Sequence, residues 1–153
     1  MSNLSRTFAR LLILLVCFDL LAACVPVPAP APSNSIQNIV WQWISVTNQT
    51  TKQTTTVPAP ENYTIVFNAD GTLTGKADCN SFTGTYSQEN GFTITLGAST
   101  MMYCGDASLD AQYLQLLSSV AAGGPDGAGG LALETAGGEQ RMLFKNGGPA
   151  PKP

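Results

Sequence analysis

From Val40 onward the apolar residues fall at every second position in short runs, and several runs are parted by acidic or amide residues followed by glycine. That alternation puts successive side chains on opposite faces of a strand, so the chain is confined to sheets with one buried and one wet face. Val40-Trp41-Gln42-Trp43-Ile44-Ser45-Val46 makes one aromatic and β-branched strand, and Tyr63 to Phe67 makes another. Trp41 and Trp43 share a face and are expected in the core. Thr47 to Asn62, between these strands, reads as a polar, threonine-rich loop.

Asn68-Ala69-Asp70-Gly71 separates Tyr63–Phe67 from Thr72–Ala77, and Gly71 supplies the positive φ that a tight hairpin needs. Glu89-Asn90-Gly91 joins Gly84–Ser87 to Phe92–Leu96 in the same way, and Ala136-Gly137-Gly138 joins Leu131–Leu133 to Met142–Phe144. One segment breaks the alternation. Between Ser108 and Ala122, Leu109, Tyr113, Leu116, Leu117 and Val120 recur at helical intervals, with Asp106 or Ser108 as a cap. Gly123 to Gly130 then reads as a flexible linker. The expected fold is α+β: a small, mainly antiparallel sheet or partly open barrel packed with one helix.

The amino end carries an address. Arg6 and Arg10 precede an apolar run from Leu11 to Val16 that continues through Phe18, Leu20 and Leu21, the layout of a secretory leader. A permanent span needs about 20 apolar residues, and Asp19 interrupts this one. The run ends in Leu21-Ala22-Ala23-Cys24, which resembles the lipobox of bacterial lipoproteins, so Cys24 is the expected site of acylation and the membrane the expected anchor. Val25 is not the aspartate associated with inner-membrane retention. The expected location is therefore the cell envelope, outside the cytoplasm, and the outer membrane in a host that has one. VPVPAPAP, from Val25 to Pro32, fixes φ and lacks donors at every second residue, which favours a stiff polyproline II tether.

The expected organisation is a leader over 1–23, an acylated cysteine and tether over 24–38, a globular domain over 39–145 and a disordered tail over 146–153. Of the four cysteines, Cys17 departs with the leader and Cys24 takes lipid, which leaves Cys79 and Cys104 to pair. An oxidising compartment permits the bridge, and closing that loop contributes roughly 3 kcal/mol in the chain-entropy view. The chain has 7 Lys/Arg against 10 Asp/Glu. Loss of Arg6, Arg10 and Asp19 with the leader makes the remainder more acidic still, which disfavours nucleic acid.

Cys79-Asn80-Ser81-Phe82-Thr83-Gly84-Thr85-Tyr86, then Thr100-Met101-Met102-Tyr103-Cys104, then the helix with Tyr113, resemble the META domain family and within it the HslJ-like heat-shock lipoproteins. Trp43, Phe67, Asp70, Gly71, Gly75, Cys79, Asn80, Phe82, Gly84, Tyr86, Thr100, Met102 and Cys104 fill the family's places in order. Two residues depart from it: Met101 stands where many members carry arginine, and Asp78 where many carry glycine. The resemblance implies a compact β-rich lipoprotein domain without an established reaction, associated with heat stress and antibiotic resistance. A similarity to secretion-pilot lipoproteins implies partner binding.

The residues themselves offer little chemistry. The chain has no histidine, which removes the commonest triads. Asp70 reads as a turn residue and Asp106 as a cap; Asn80 either presents its amide to a ligand or, as the favoured reading, supports a tight turn behind Cys79. The soft sulfurs of Met101, Met102 and Cys104 suit copper(I), but Cys104 is expected in a disulfide and Met102 packed inward. No metal, cofactor or catalytic residue is expected. Three functions remain: an envelope module that binds a protein partner, a carrier of a small apolar ligand or lipid, or a purely structural or inhibitory lipoprotein that no sequence feature isolates. An enclosed apolar pocket would favour the carrier; an exposed apolar patch would favour the adaptor.

Overall fold

The computed structural model describes residues 35–151. The leader, Cys24 and the run of prolines lie outside the described residues. Strand β1 (Ile39–Asn48) is the axis of the fold. It pairs antiparallel with β3 (Tyr63–Phe67) on one side and with β9 (Gln140–Pro149) on the other. The sheet continues on the β3 side through β4 (Thr72–Ala77), β5 (Asn80–Ser87) and β6 (Thr93–Ser99). On the β9 side it continues through β8 (Leu131–Thr135) and β7 (Val120–Pro125). All of these pairings are antiparallel.

The sheet curls until its two edges approach. The Phe92 amide, just before β6, donates to the Ala121 carbonyl of β7 at 3.1 Å. Curvature of this kind is produced by extra residues in the ladder, and β1 has register shifts between Ile39 and Trp41 and between Trp43 and Ser45. The second shift also changes the phase of burial: Trp41 and Trp43 face inward, and so does Val46 rather than Ser45. Helix α1 (Asp110–Ser118) packs against β4 and β6 and turns Tyr113 and Leu117 into the half-barrel. The fold is α+β, as the alternation predicts.

Aromatic rings fill the interior. Tyr113 stacks on Trp43 at 5.0 Å between centroids and meets Tyr63 edge-on at 5.8 Å. Phe82 and Phe144 lie around the same ring. Phe67 forms a second cluster with Tyr86 and Phe92. Both indoles find acceptors: Trp41 donates to the Ile36 carbonyl and Trp43 to the Ser45 carbonyl.

Several expectations are corrected. The helix ends at Ser118, where a longer one to Ala122 was predicted. Val120 satisfies helical and strand periods alike, and its pairing opposite Thr135 draws it into β7. The supposed linker from Gly123 to Gly130 is mostly strand and hairpin. Asp126 Oδ1 closes that hairpin by accepting from the amides of Ala128 (2.7 Å) and Gly130 (2.8 Å). Within the supposed loop over Thr47–Asn62, β2 (Thr54–Thr56) pairs back onto β1, and Pro60–Asn62 forms one 3-10 turn. The tail was expected to be disordered from Asn146, yet β9 continues to Pro149, with Asn146 opposite Trp41. At the other end, Ile36 is buried and Gln37 bridges to Phe67, so the folded part begins before Ile39.

Candidate functional site

Strands β4 and β5 are joined by the turn at Asp78-Cys79, and this turn supports the loop from Thr100 to Cys104. Asp78 has a φ of 58°, a left-handed conformation that aspartate tolerates better than most side chains. That geometry accounts for the glycine expected at this place. Cys79 and Cys104 form a disulfide with their Cα atoms 5.6 Å apart, which ties the loop to the turn.

Asn80 is the second tie. Its side chain is buried beneath the loop, where Oδ1 accepts from the Met102 amide at 2.7 Å and the Thr100 hydroxyl at 3.0 Å. Its Nδ2 donates to the Met102 carbonyl at 3.0 Å and to Asp110 Oδ2 at 3.2 Å. Thr100 also accepts from the Ser81 amide at 3.0 Å. Asn80 therefore holds a loop some twenty positions away, not the local turn that the sequence predicts.

With its backbone fixed, the loop turns its side chains outward. Met101 is 95% exposed, Met102 58% and Tyr103 80%, the large apolar residues most open to water among the described residues. This corrects the expectation that Met102 packs inward: its backbone is captured, its thioether is not. Tyr103 donates to the Asp106 carboxylate, and that bond, ahead of slight desolvation, raises its phenol above the usual tyrosine range. Beneath the three side chains lies a groove of about 460 Å³, closed on its other side by Asp110, Ala111 and Leu114. A second groove of about 410 Å³, between α1 and the β8–β9 turn, is walled mainly by Gln112, Gln115, Ser119, Glu139 and Gln140.

The remaining predicted residues are structural. Asp70 Oδ1 accepts from the hydroxyl (2.6 Å) and the amide (2.9 Å) of Thr72, bonds that hold its carboxyl below the usual aspartate range. Gly71, at a φ of 83°, completes that hairpin. Trp43 and Phe82 line the core. Gly84 lies so close to the Thr95 carbonyl that a Cβ would collide with it. Tyr86 donates to the Asn68 carbonyl and accepts from Gln37, both at 2.9 Å. Neither the Thr100 hydroxyl nor the Asn80 amide is free for chemistry. Among the described residues, no three His, Cys, Asp or Glu side chains cluster as a metal site.

Sequence reasoning missed Asp110 as groove wall and partner of Asn80, and it missed the exposure of Met101-Met102-Tyr103. One signal was present. Three large apolar residues in succession, between a strand and a cysteine, fit neither strand nor helix alternation, and such a run has no face to bury.

The chain matches the META domain family over residues 34–148. No curated protein matches it. Two solved structures share its fold. One is the NMR structure of a protein from Burkholderia xenovorans, 20% identical, covering 72% of this chain and 83% of its own, with a TM-score of 0.59. The other is the crystal structure of a DUF4847 family protein from Bacteroides vulgatus, 14% identical, covering 72% of this chain and 93% of its own, with a TM-score of 0.56.

Proposed function

The chain belongs to the META domain family, and from that premise we propose that it is a non-catalytic adaptor, lipid-anchored in the cell envelope through Cys24, that binds an envelope protein in a stress or antibiotic response. The observation that carries this reading is the outward face of Met101, Met102 and Tyr103 on a loop fixed by a disulfide and by Asn80. Contiguous exposed apolar side chains mark interaction surfaces in water-soluble domains. A loop that is already rigid loses little entropy when it docks.

The leader, the Leu21-Ala22-Ala23-Cys24 motif and the prolines after it support the anchor. Acylation with two or more chains gives stable attachment where one chain does not. The carrier reading finds no comparable support, because the half-barrel is filled by the rings around Tyr113. No helix among the described residues is long and apolar enough to cross a membrane.

In-cell chemical crosslinking of the wild-type protein, followed by mass spectrometry, tests the adaptor. One dominant envelope protein should be captured, and a Cys24→Ala variant should lose that capture together with its acyl mass and membrane fractionation. Unchanged mass and fractionation in the variant would overturn the anchor. Absence of any captured protein from the wild type would overturn the adaptor.

A further inference from the structure

We propose that the Met101–Tyr103 loop and the groove beneath it receive an apolar protein segment flanked by lysine or arginine. This deepens the adaptor reading and rests on it. The apolar half of the argument is the exposure of Met101, Met102 and Tyr103, with Ala111 and Leu114 across the groove. Methionine suits such a surface because its unbranched, polarizable side chain repacks around different shapes.

The charged half is the rim. Asp106 bonds to Tyr103, and Asp110 lines the groove. Neither has a Lys or Arg within ion-pair distance among the described residues, where the ion pair formed joins Arg141 to Glu134. Lys76, the cation nearest in sequence to Asp106, bonds to Asn62 instead. An apolar floor with an acidic rim selects a partner of the opposite charge and steers it to the site.

The same rim disfavours two other occupants. A second copy docking by this face would bring like charges together. An anionic lipid surface would be repelled. The loop also stands at the Ala77–Asn80 end of β4 and β5, whereas Gln37, the paired residue closest in sequence to the prolines, sits against Phe67 and Tyr86 at their other end. The loop and Gln37 thus lie at opposite ends of β4 and β5.

The test is a photoreactive amino acid at Met101 of the full-length lipidated protein in living cells, with the same probe at exposed Glu89 as control. Met101 should yield one protein adduct whose crosslinked peptide is apolar with adjacent lysine or arginine, and Glu89 should not. Asp106→Lys, and separately Met102→Ser, should each reduce the adduct several-fold while the melting temperature holds. An adduct with lipid, with a second copy of this chain or with an acidic peptide overturns the proposal, as does capture indifferent to Asp106→Lys. Capture from Glu89 alone removes this site and leaves the adaptor standing; no protein adduct from either position removes both.

Discussion

Replacing Asn80 by alanine removes the Nδ2 donor and the Oδ1 acceptor that bond to the Thr100–Cys104 loop and to Asp110. Buried groups left without partners cost about 1–3 kcal/mol each, but the disulfide keeps the loop near the surface, where water reaches part of it. The expected loss is about 2–3 kcal/mol of unfolding free energy, read by chemical denaturation. Tyr113 presents the opposite case. Its hydroxyl is buried with no hydrogen-bond partner, and burial raises its phenol well above the ordinary value of 10.0. Tyr113→Phe is expected to raise stability by about 1 kcal/mol, because the unpaired hydroxyl leaves while the ring stays stacked on Trp43. The sign with pH follows. Below pH 10 the phenol is protonated in both folded and unfolded chains; above it the unfolded chain ionises first, so wild-type stability falls as pH rises. Denaturation at a series of alkaline pH values should show a shallower fall in Tyr113→Phe. The orphan hydroxyl was not legible in the sequence, since Tyr113 announces a buried helical position but not what its oxygen will meet.

At the scale of elements, the hairpins were legible because their turns are local. Asp70-Gly71 and Glu89-Asn90-Gly91 carry their own conformational reasons, and β3 to β6 follow them in order. Elements decided by distant partners were not. Val120 joins β7 only because β8 lies beside it, and Asn146–Pro149 becomes strand only because β1 extends far enough to pair with it. Gly75 shows how tightly these partners fit. It faces Phe82 across the β4–β5 pair, and a Cβ there would overlap both the Phe82 ring and the Thr64 carbonyl. Overpacking of this kind costs about 1–3 kcal/mol, so Gly75→Ala should lower the melting temperature of the domain by several degrees. Gly124, in β7, has nothing near its absent Cβ, and Gly124→Ala should leave the melting curve almost unchanged.

For the whole molecule, the sequence announced a β-rich domain with a disulfide between Cys79 and Cys104, and the bridge is present in the fold. What it did not announce is the division of labour around that bridge. Asn80, Thr100 and the cysteines serve as a mount, and the side chains of Met101, Met102 and Tyr103 are what the mount displays. Periodicity is blind to this arrangement, because the loop belongs to no strand or helix. The most direct measurement is methionine oxidation by hydrogen peroxide, comparing wild-type protein at its native level in intact cells with the purified protein. Met101 and Met102 should oxidise readily in isolation and be shielded in cells, with buried Met142 slow in both. Equal oxidation of Met101 and Met102 in the two settings would mean that nothing covers the loop, and would contradict the account.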